Sequence, residues 1–443
     1  MPQLARDLAL IGSDEAGYGP NLGPLVVGAS GWLLKNAPIP EHALDAFAVG
    51  ESAAIVPELP PTTKRKSSTK RRAALEATPT FFQLADAETS RARVAPEVVV
   101  PAGAKAGDAK AGAGEASLDV RSEDRSPYDA GLAKLNAALA PIADPKGAFP
   151  ILDSKKLYGA AHSLASLERT VLIALDLIGE HAETARELLR RVAARDVSND
   201  PDAAPPWERA PFPSLPVDPK SFDSRDALQD AAQKVDAFLA KRDARLLKLA
   251  ARRVQPNELN RFFESGSLKS DAIAEYTTSL LAETLDSTLR AAQFQPGDVA
   301  PCLALCDKLG GRNRYGDLLA RRFPNANFRV ACEARQSSVY RALVEYAIDR
   351  SGKTIRFPNV VALEVRFTAK GESNAPTALA SICAKYLREV SMALFNDFWR
   401  DAAGDPNLAP TAGYPVDAAR FRAEVGDAQR RLGIDDVVFW RSK

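Results

Sequence analysis

Two adjacent carboxylates, Asp14 and Glu15, follow the apolar run Leu8 to Ile11 and precede a stretch rich in glycine, Gly17, Gly19 and Gly23. Two further acids share that local context. Asp307 closes the apolar run Pro301 to Cys306, and Glu372 follows the apolar run Val360 to Phe367. Carboxylates beside core strands are unfavourable unless something positive neutralises them. The simplest neutraliser is a divalent cation with oxygen ligands, and carboxylate, carbonyl and water ligands select Mg²⁺ or Mn²⁺ over softer metals. Two such ions about 4 Å apart orient a water and stabilise the entering and leaving oxygens of a phosphoryl displacement. Spacing alone leaves a second reading open, in which the four are ordinary surface acids or strand-end caps.

Other residue types narrow the chemistry. The histidines are His42, His162 and His181, none beside another candidate ligand, so a histidine metal site or a Ser-His-Asp triad is not expected. Cys302, Cys306, Cys332 and Cys383 form no CxxC pair. They suit a reduced, cytosolic protein, with Cys302 and Cys306 as packing residues on one strand face. Met1 to Asp7 is mostly polar, without a signal-peptide pattern, and no run approaches about eighteen apolar residues. The expectation is a cytoplasmic protein with no membrane span, and no protein partner is indicated. Net charge is +1, so affinity for nucleic acid must be local. The basic cluster Lys64, Arg65, Lys66, Lys70, Arg71 and Arg72 either touches phosphates or is a solvated charge run. Without interleaved aromatics to stack bases, the solvated reading is preferred.

The elements that must position the acids follow from hydrophobic period. Residues 1–36 read as two strands of a hairpin. Side chains alternate faces along a strand, so Asp14 and Glu15 serve one site only where the strand ends or bends, and the glycines supply such a bend. Residues 51–128 are rich in Pro, Ala, Gly, Ser and charge and read as a disordered insertion. Phe149 to Leu152 reads as a short strand before Asp153-Ser154-Lys155-Lys156-Leu157. Helical spacing follows over 164–178 and 183–195. A Pro-rich linker over 196–222 falls within a helical insertion of about 182–244. Strands are expected at 246–254, 301–306, 327–331 and 360–367. Helices are expected at 226–241, 257–260, 270–292, 315–322, 339–349, 376–398 and 417–425. Strands alternating with helices give an α/β domain with a mixed sheet.

Five stretches, in order along the chain, resemble those of the type 2 ribonuclease H family, ribonucleases HII and HIII. Asp14-Glu15-Ala16-Gly17-Tyr18-Gly19-Pro20 resembles the family's Asp-Glu-Ala-Gly-Arg/Lys-Gly signature, continued by Gly23-Pro24. Asp153 to Leu157 matches its DSKKL element, and Asp307 falls where the family has its third acid. Lys370-Gly371-Glu372-Ser373 through Ala380-Ser381-Ile382-Cys383-Ala384-Lys385 resembles the KGDS…AASIxAK block, and Gly413-Tyr414-Pro415 the GYP element. The likeness covers roughly residues 6–36, 149–180 and 245–430.

The resemblance implies an RNase H-like fold, with a mixed central sheet flanked by helices, built from residues 1–36 and 131–443. It implies endonucleolytic cleavage of the RNA strand of RNA/DNA hybrids, or of ribonucleotides embedded in duplex DNA. Two Mg²⁺ or Mn²⁺ ions would be held by Asp14, Glu15, Asp307 and Glu372. Gly17, Tyr18 and Gly19 would lie against the ribose 2′-hydroxyl, which separates RNA from DNA. Tyr414 would stack on a sugar, and Ser154, Lys155 and Lys385 would contact phosphates. The chain departs from the family in three ways: Tyr18 replaces a basic residue, Glu372 stands where HII has aspartate, and the insertions are large. A catalytically silent nucleic-acid-binding module, or a related metal nuclease acting on another nucleic-acid structure, are the competing readings. Residue by residue, Asp153 also reads as a helix cap, Lys385 as an i,i+4 partner of Glu389, and Tyr414 as a packed turn aromatic.

Overall fold

The computed structural model describes residues 3–47, 125–144, 147–159, 163–194, 204–209, 211–295, 297–345 and 360–442. The apolar runs on either side of the glycine-rich stretch form β1 (Leu8–Ala16) and β2 (Leu25–Leu34), both almost wholly buried. They join β3 (Ala244–Val254), β4 (Val299–Asp307), β5 (Arg329–Glu333), β6 (Ser337–Glu345) and β7 (Val360–Thr368) in one seven-stranded sheet of order β3-β2-β1-β4-β7-β6-β5. The centre, β1-β4-β7, is parallel, and both wings are antiparallel. A strand in such a centre is covered on both faces, which is why β4 is a continuous apolar run.

The helices in chain order are α1 (Asp129–Leu139), α2 (Ser154–Tyr158), α3 (Ala165–Leu177), α4 (Ala185–Val192), α5 (Arg225–Ala240), α6 (Pro256–Glu264), α7 (Lys269–Ala292), α8 (Gly316–Arg322), α9 (Ala375–Ala403), α10 (Pro415–Leu432) and α11 (Asp436–Phe439). Alternation along β1 sends Leu8 and Leu10 into a core with α1 to α5 and α9, and Ala9 and Ile11 into a core with α6, α7 and α8. A third cluster gathers the end of α9 with α10, α11, Leu22 and Trp207. The fold is therefore mixed α/β, a mixed sheet with helices on both faces. Among the described residues no helix is long and apolar enough to cross a membrane.

Two expected elements differ. Residues 339–345 form strand β6 rather than a helix, and 346–349 lie outside the described residues. Ser338, Tyr340, Ala342 and Val344 are buried in alternation, and pairing with β7 overrides the helical propensity of the Ala-Leu-Val-Glu stretch. Phe149 and Ile151 are buried, but no strand forms there, because the run finds no ladder partner. The basic cluster at 64–72, His162 and residues 51–124 of the low-complexity stretch lie outside the described residues. Tyr128, at the end of that stretch, is fully buried and donates to the Ala362 carbonyl at 2.8 Å. Within the Pro-rich stretch, Trp207 packs edge-on against Phe395. The carboxylate of buried Glu168 accepts from the Val217 and Asp218 amides at 2.6 and 2.9 Å.

Candidate functional site

Parallel register brings the acids together. Ser13 stands opposite Cys306, so Asp14 and Asp307 are the next residues on neighbouring strands. On the other side of β4, Asp307 is in register with Thr368, the last residue of β7. The chain then turns through Lys370, whose φ of 61° is left-handed, into one 3₁₀ turn, Gly371–Ser373, which carries Glu372. The Gly371 amide donates to the Asp307 carboxylate at 2.8 Å, fixing that turn against β4. Immediately afterwards α9 begins, pressed against β1 and β2. A Cβ on Gly12 would overlap the Pro376 and Thr377 backbone, and one on Gly28 would overlap the Ala380 carbonyl. The Ser30 hydroxyl donates to the Pro376 carbonyl at 2.7 Å across the same seam. This close approach sets Ser381, in the second turn of α9, close enough to Asp14 and Glu372 to ease part of the cost of their charge. Its hydroxyl also bonds Ser154 at 3.0 Å.

The electrostatics are those of crowded like charges. Burial pushes the Asp14 carboxyl well above the usual carboxylate range; Glu15, Glu372 and Asp307 push it further, and Ser381 partly offsets them. Glu15 rises from 4.5 to about 7, through burial first and then repulsion from Asp307 and Glu372, with Lys155 opposing. Glu372 is also raised, by burial, then by Asp153, with Lys155 again opposing and Asp307 adding to the rise. One oxygen of Glu15 and one of Glu372 are buried without a hydrogen-bond partner. Orphaned carboxylate oxygens among mutually repelling acids fit a hard divalent cation. Among the described residues, no group of three or more His, Cys, Asp or Glu side chains is arranged as it would be around a bound ion.

Around the acids, α2 supplies Ser154, which is buried, and Lys155, which is exposed and close enough to Glu15 and Glu372 to stabilise their charge. Asp153 caps α2, accepting from the Lys155 amide at 2.9 Å, and also faces Glu372. Lys385 is tied to Glu389 at 2.6 Å and lies 4.5 Å over the Tyr158 ring. Glu389 also accepts from the Tyr158 hydroxyl at 3.0 Å.

The loop from Gly17 to Gly23 is braced from the other end of the chain. Buried Arg441 donates to the carbonyls of Gly17 at 2.6 Å, Pro20 at 3.0 Å and Gly23 at 2.9 and 2.5 Å. Its backbone N–H donates to the Asn21 carbonyl at 2.9 Å. Arg388, 4% exposed, lies directly under Gly17, where no side chain fits. On the outer face Tyr18 and Tyr414 are exposed. Tyr414 packs on Gly19, its ring 3.4 Å from where a Cβ would stand.

The structure thus gathers Asp14, Glu15, Asp307 and Glu372, with Ser154 and Lys155 at their edge, and puts Tyr18 beside Gly17 and Gly19 with Tyr414 against the same loop. Lys385 stands in its own pair with Glu389. Ser381 and Arg441 were not legible as site residues. A signal existed for Ser381, a small polar residue four positions after Thr377 on a helix face otherwise apolar. Arg441 carries no local signal, because its partners lie more than 400 positions away. No family model matches the chain, and no curated protein matches it in sequence.

Proposed function

We propose that the chain is a metal-dependent endoribonuclease of RNase H-like fold, cutting the RNA strand of RNA/DNA hybrids or at ribonucleotides embedded in duplex DNA. The observation that carries the reading is the meeting of Asp14, Glu15, Asp307 and Glu372 at the carboxyl ends of adjacent strands, with two orphaned carboxylate oxygens. Those four residues would hold Mg²⁺ or Mn²⁺, which when bound supplies activation of a water and stabilisation of charge on the phosphoryl group. Ser381 eases the charge of Asp14 and Glu372 from one side, and the Gly371 amide holds Asp307 on the other. The braced backbone at Gly17, Tyr18 and Gly19 is the surface offered to a ribose 2′-hydroxyl. Tyr414 supplies an aromatic face for a sugar. Ser154 and Lys155 meet phosphates, which positions the strand without reading sequence. Lys385, held by Glu389, contributes to the charge balance behind them.

The test is nicking of a labelled hybrid, and of a duplex with one ribonucleotide, in Mg²⁺ or Mn²⁺. Cleavage by the wild type and its loss in Asp14→Asn are expected. Robust cleavage by that variant, or none by the wild type in either metal, overturns the reading. Because no acid group is arranged for an ion among the described residues, a silent binding module of the same fold is the second reading. Tight hybrid binding without turnover identifies it. Cleavage confined to DNA junctions or single strands identifies a nuclease of other specificity.

A further inference from the structure

We propose that Lys269, stacked on Tyr18, is the seat for a backbone phosphate of the bound nucleic-acid strand, a positioning contact on the loop that follows the acids; the proposal rests on the nuclease reading above. The Lys269 ammonium lies 5.1 Å from the centroid of the Tyr18 ring. Tyr18 belongs to the loop that follows Asp14 and Glu15, and it is 38% exposed, so the ring under the ammonium faces solvent.

Four features make the ammonium's position costly for the isolated protein, and an anion relieves each. Lys269 is the first residue of a 24-residue helix, the end where a cation opposes the helix dipole. It is partly desolvated, and buried Arg441 repels it; both lower its pKa. Among the described residues it makes no ion pair. The nearest acid in sequence, Asp271, is taken by Arg312 and by the Leu268 amide at 3.1 Å. Behind the same loop lie Arg441, whose donors reach only neutral carbonyls, and Arg388, whose Nε is buried without a partner under Gly17 while its far end lies 4.0 Å from Glu389. Arg388 and Arg441 are close enough to repel each other. Lys269 and Arg441 thus bring two positive charges to this loop with no carboxylate partner among the described residues.

The stereochemistry suits a phosphodiester rather than a base. A lysine offers a point charge that fits any phosphate oxygen, and the aromatic face keeps its stem in place. The Tyr18 hydroxyl points toward Gly310, 3.8 Å from where a Cβ would stand, and a side chain at Gly311 would meet nothing within 4 Å. The Gly310-Gly311 turn is pinned to the start of α7 by the Arg312–Asp271 pair. A strand crossing there has room beside the Tyr18 face and meets the ammonium.

The experiment is the salt dependence of hybrid binding, read by fluorescence anisotropy on a labelled hybrid in Ca²⁺, with Lys269→Gln, Lys269→Arg and Tyr18→Leu. Loss of one phosphate contact lowers the slope of log K against log salt by about 1. Lys269→Gln should show that drop and weaker binding to hybrid and to duplex DNA alike. Lys269→Arg should keep the wild-type slope, and Tyr18→Leu should weaken binding with a smaller change of slope. Thermal melts at wild-type values establish that Lys269→Gln is folded. If that variant melts early, the slope of Lys269→Arg and the affinity of Tyr18→Leu decide. An unchanged slope in Lys269→Gln, with wild-type protein that binds and nicks, overturns the seat alone. Wild-type protein that binds no nucleic acid overturns the nuclease reading and the seat together.

Discussion

Glu15 gives the acidic site a stability signature that can be measured without any substrate. Burial and repulsion by Asp307 raise its carboxyl from 4.5 to about 7. In the unfolded chain the group ionises near its ordinary value. Between those values the native state binds more protons than the unfolded state, so stability falls as pH rises. The loss begins near pH 4.5 and is complete above about pH 7. At about 1.36 kcal/mol per pH unit, the gap amounts to about 3 kcal/mol. Asp14 and Glu372 are displaced in the same direction and steepen the slope. Urea denaturation in EDTA, at about pH 5 and about pH 8, is the assay. Glu15→Gln should remove about 2.5 kcal/mol of the difference between the two pH values, since part of the loss precedes about pH 5, and leave the variant more stable than wild type at the higher pH. Added Mg²⁺ or Mn²⁺ should stabilise wild type at about pH 8 much more than at about pH 5, since ion and proton compete for the same oxygens. A Glu15→Gln protein with the wild-type slope would refute the burial-and-repulsion account. Equal stabilisation by the ions at both pH values would place their binding elsewhere.

Further outcomes follow from the packing around the site. Arg441→Ala leaves the carbonyls of Gly17, Pro20 and Gly23 without their donor, at about 1–3 kcal/mol for each that stays dry. Hydrogen exchange of the amides in 17–23 should accelerate ahead of the sheet, and Arg441→Lys should recover only part of the protection because it lacks the planar fork. Wild-type exchange in Arg441→Ala would show that the loop holds itself. Gly12→Ala drives a methyl into the Pro376 and Thr377 backbone, and a backbone cannot swing aside, so a loss of about 3 kcal/mol or more is expected by denaturation. A near-neutral result would mean that α9 sits further from β1. Glu168→Ala orphans the Val217 and Asp218 amides and the Ser221 and Tyr386 hydroxyls, which donate to it at 2.6–2.9 Å. Limited proteolysis should then cut within 204–222 far faster than in wild type, and equal rates would refute the tether.

How much of this was legible depended on how locally each feature is determined. Leu8 to Ile11, Leu25 to Ala29 and Pro301 to Cys306 are apolar runs bounded by acids or glycines, and each became a strand of the central sheet. The acids were legible because a carboxylate ending an apolar run has no apolar explanation. Their meeting was not, because it depends on β1 lying beside β4 and on the 3₁₀ turn after β7, which are choices of pairing. Residues 339–345 misled for the same reason. Ala, Leu, Val and Glu are compatible with either period, and the antiparallel partner β7 decides between them. Phe149 and Ile151 show the converse, apolar residues that are buried without joining a ladder. Arg441 and Lys269 lay beyond reach, since their partners are contributed by the loop at the opposite end of the sequence.

The site has a fixed half and an adjustable half, and the division bears on how it would work. Loop carbonyls at Gly17, Pro20 and Gly23 are taken by one buried guanidinium, and Tyr414 packs on Gly19. That backbone cannot shift without breaking charge-assisted bonds in a dry environment. The four carboxylates are under-bonded by comparison: Glu15 and Glu372 each keep an orphaned oxygen, and the nearby Ser381 hydroxyl donates to Ser154. The acids raise one another's pKa, so a proton or a cation on one relieves the others. A cation would draw the carboxylates inward by side-chain rotation, at small cost, while the loop keeps its place. On the proposed nuclease reading, the rigid element would recognise the sugar and phosphate of the strand, and charge neutralisation would complete the reactive geometry. Occupancy of the acids and recognition by the loop are then separable, so a substitution on the loop should alter which strand is held, and a substitution among the acids whether it is cut.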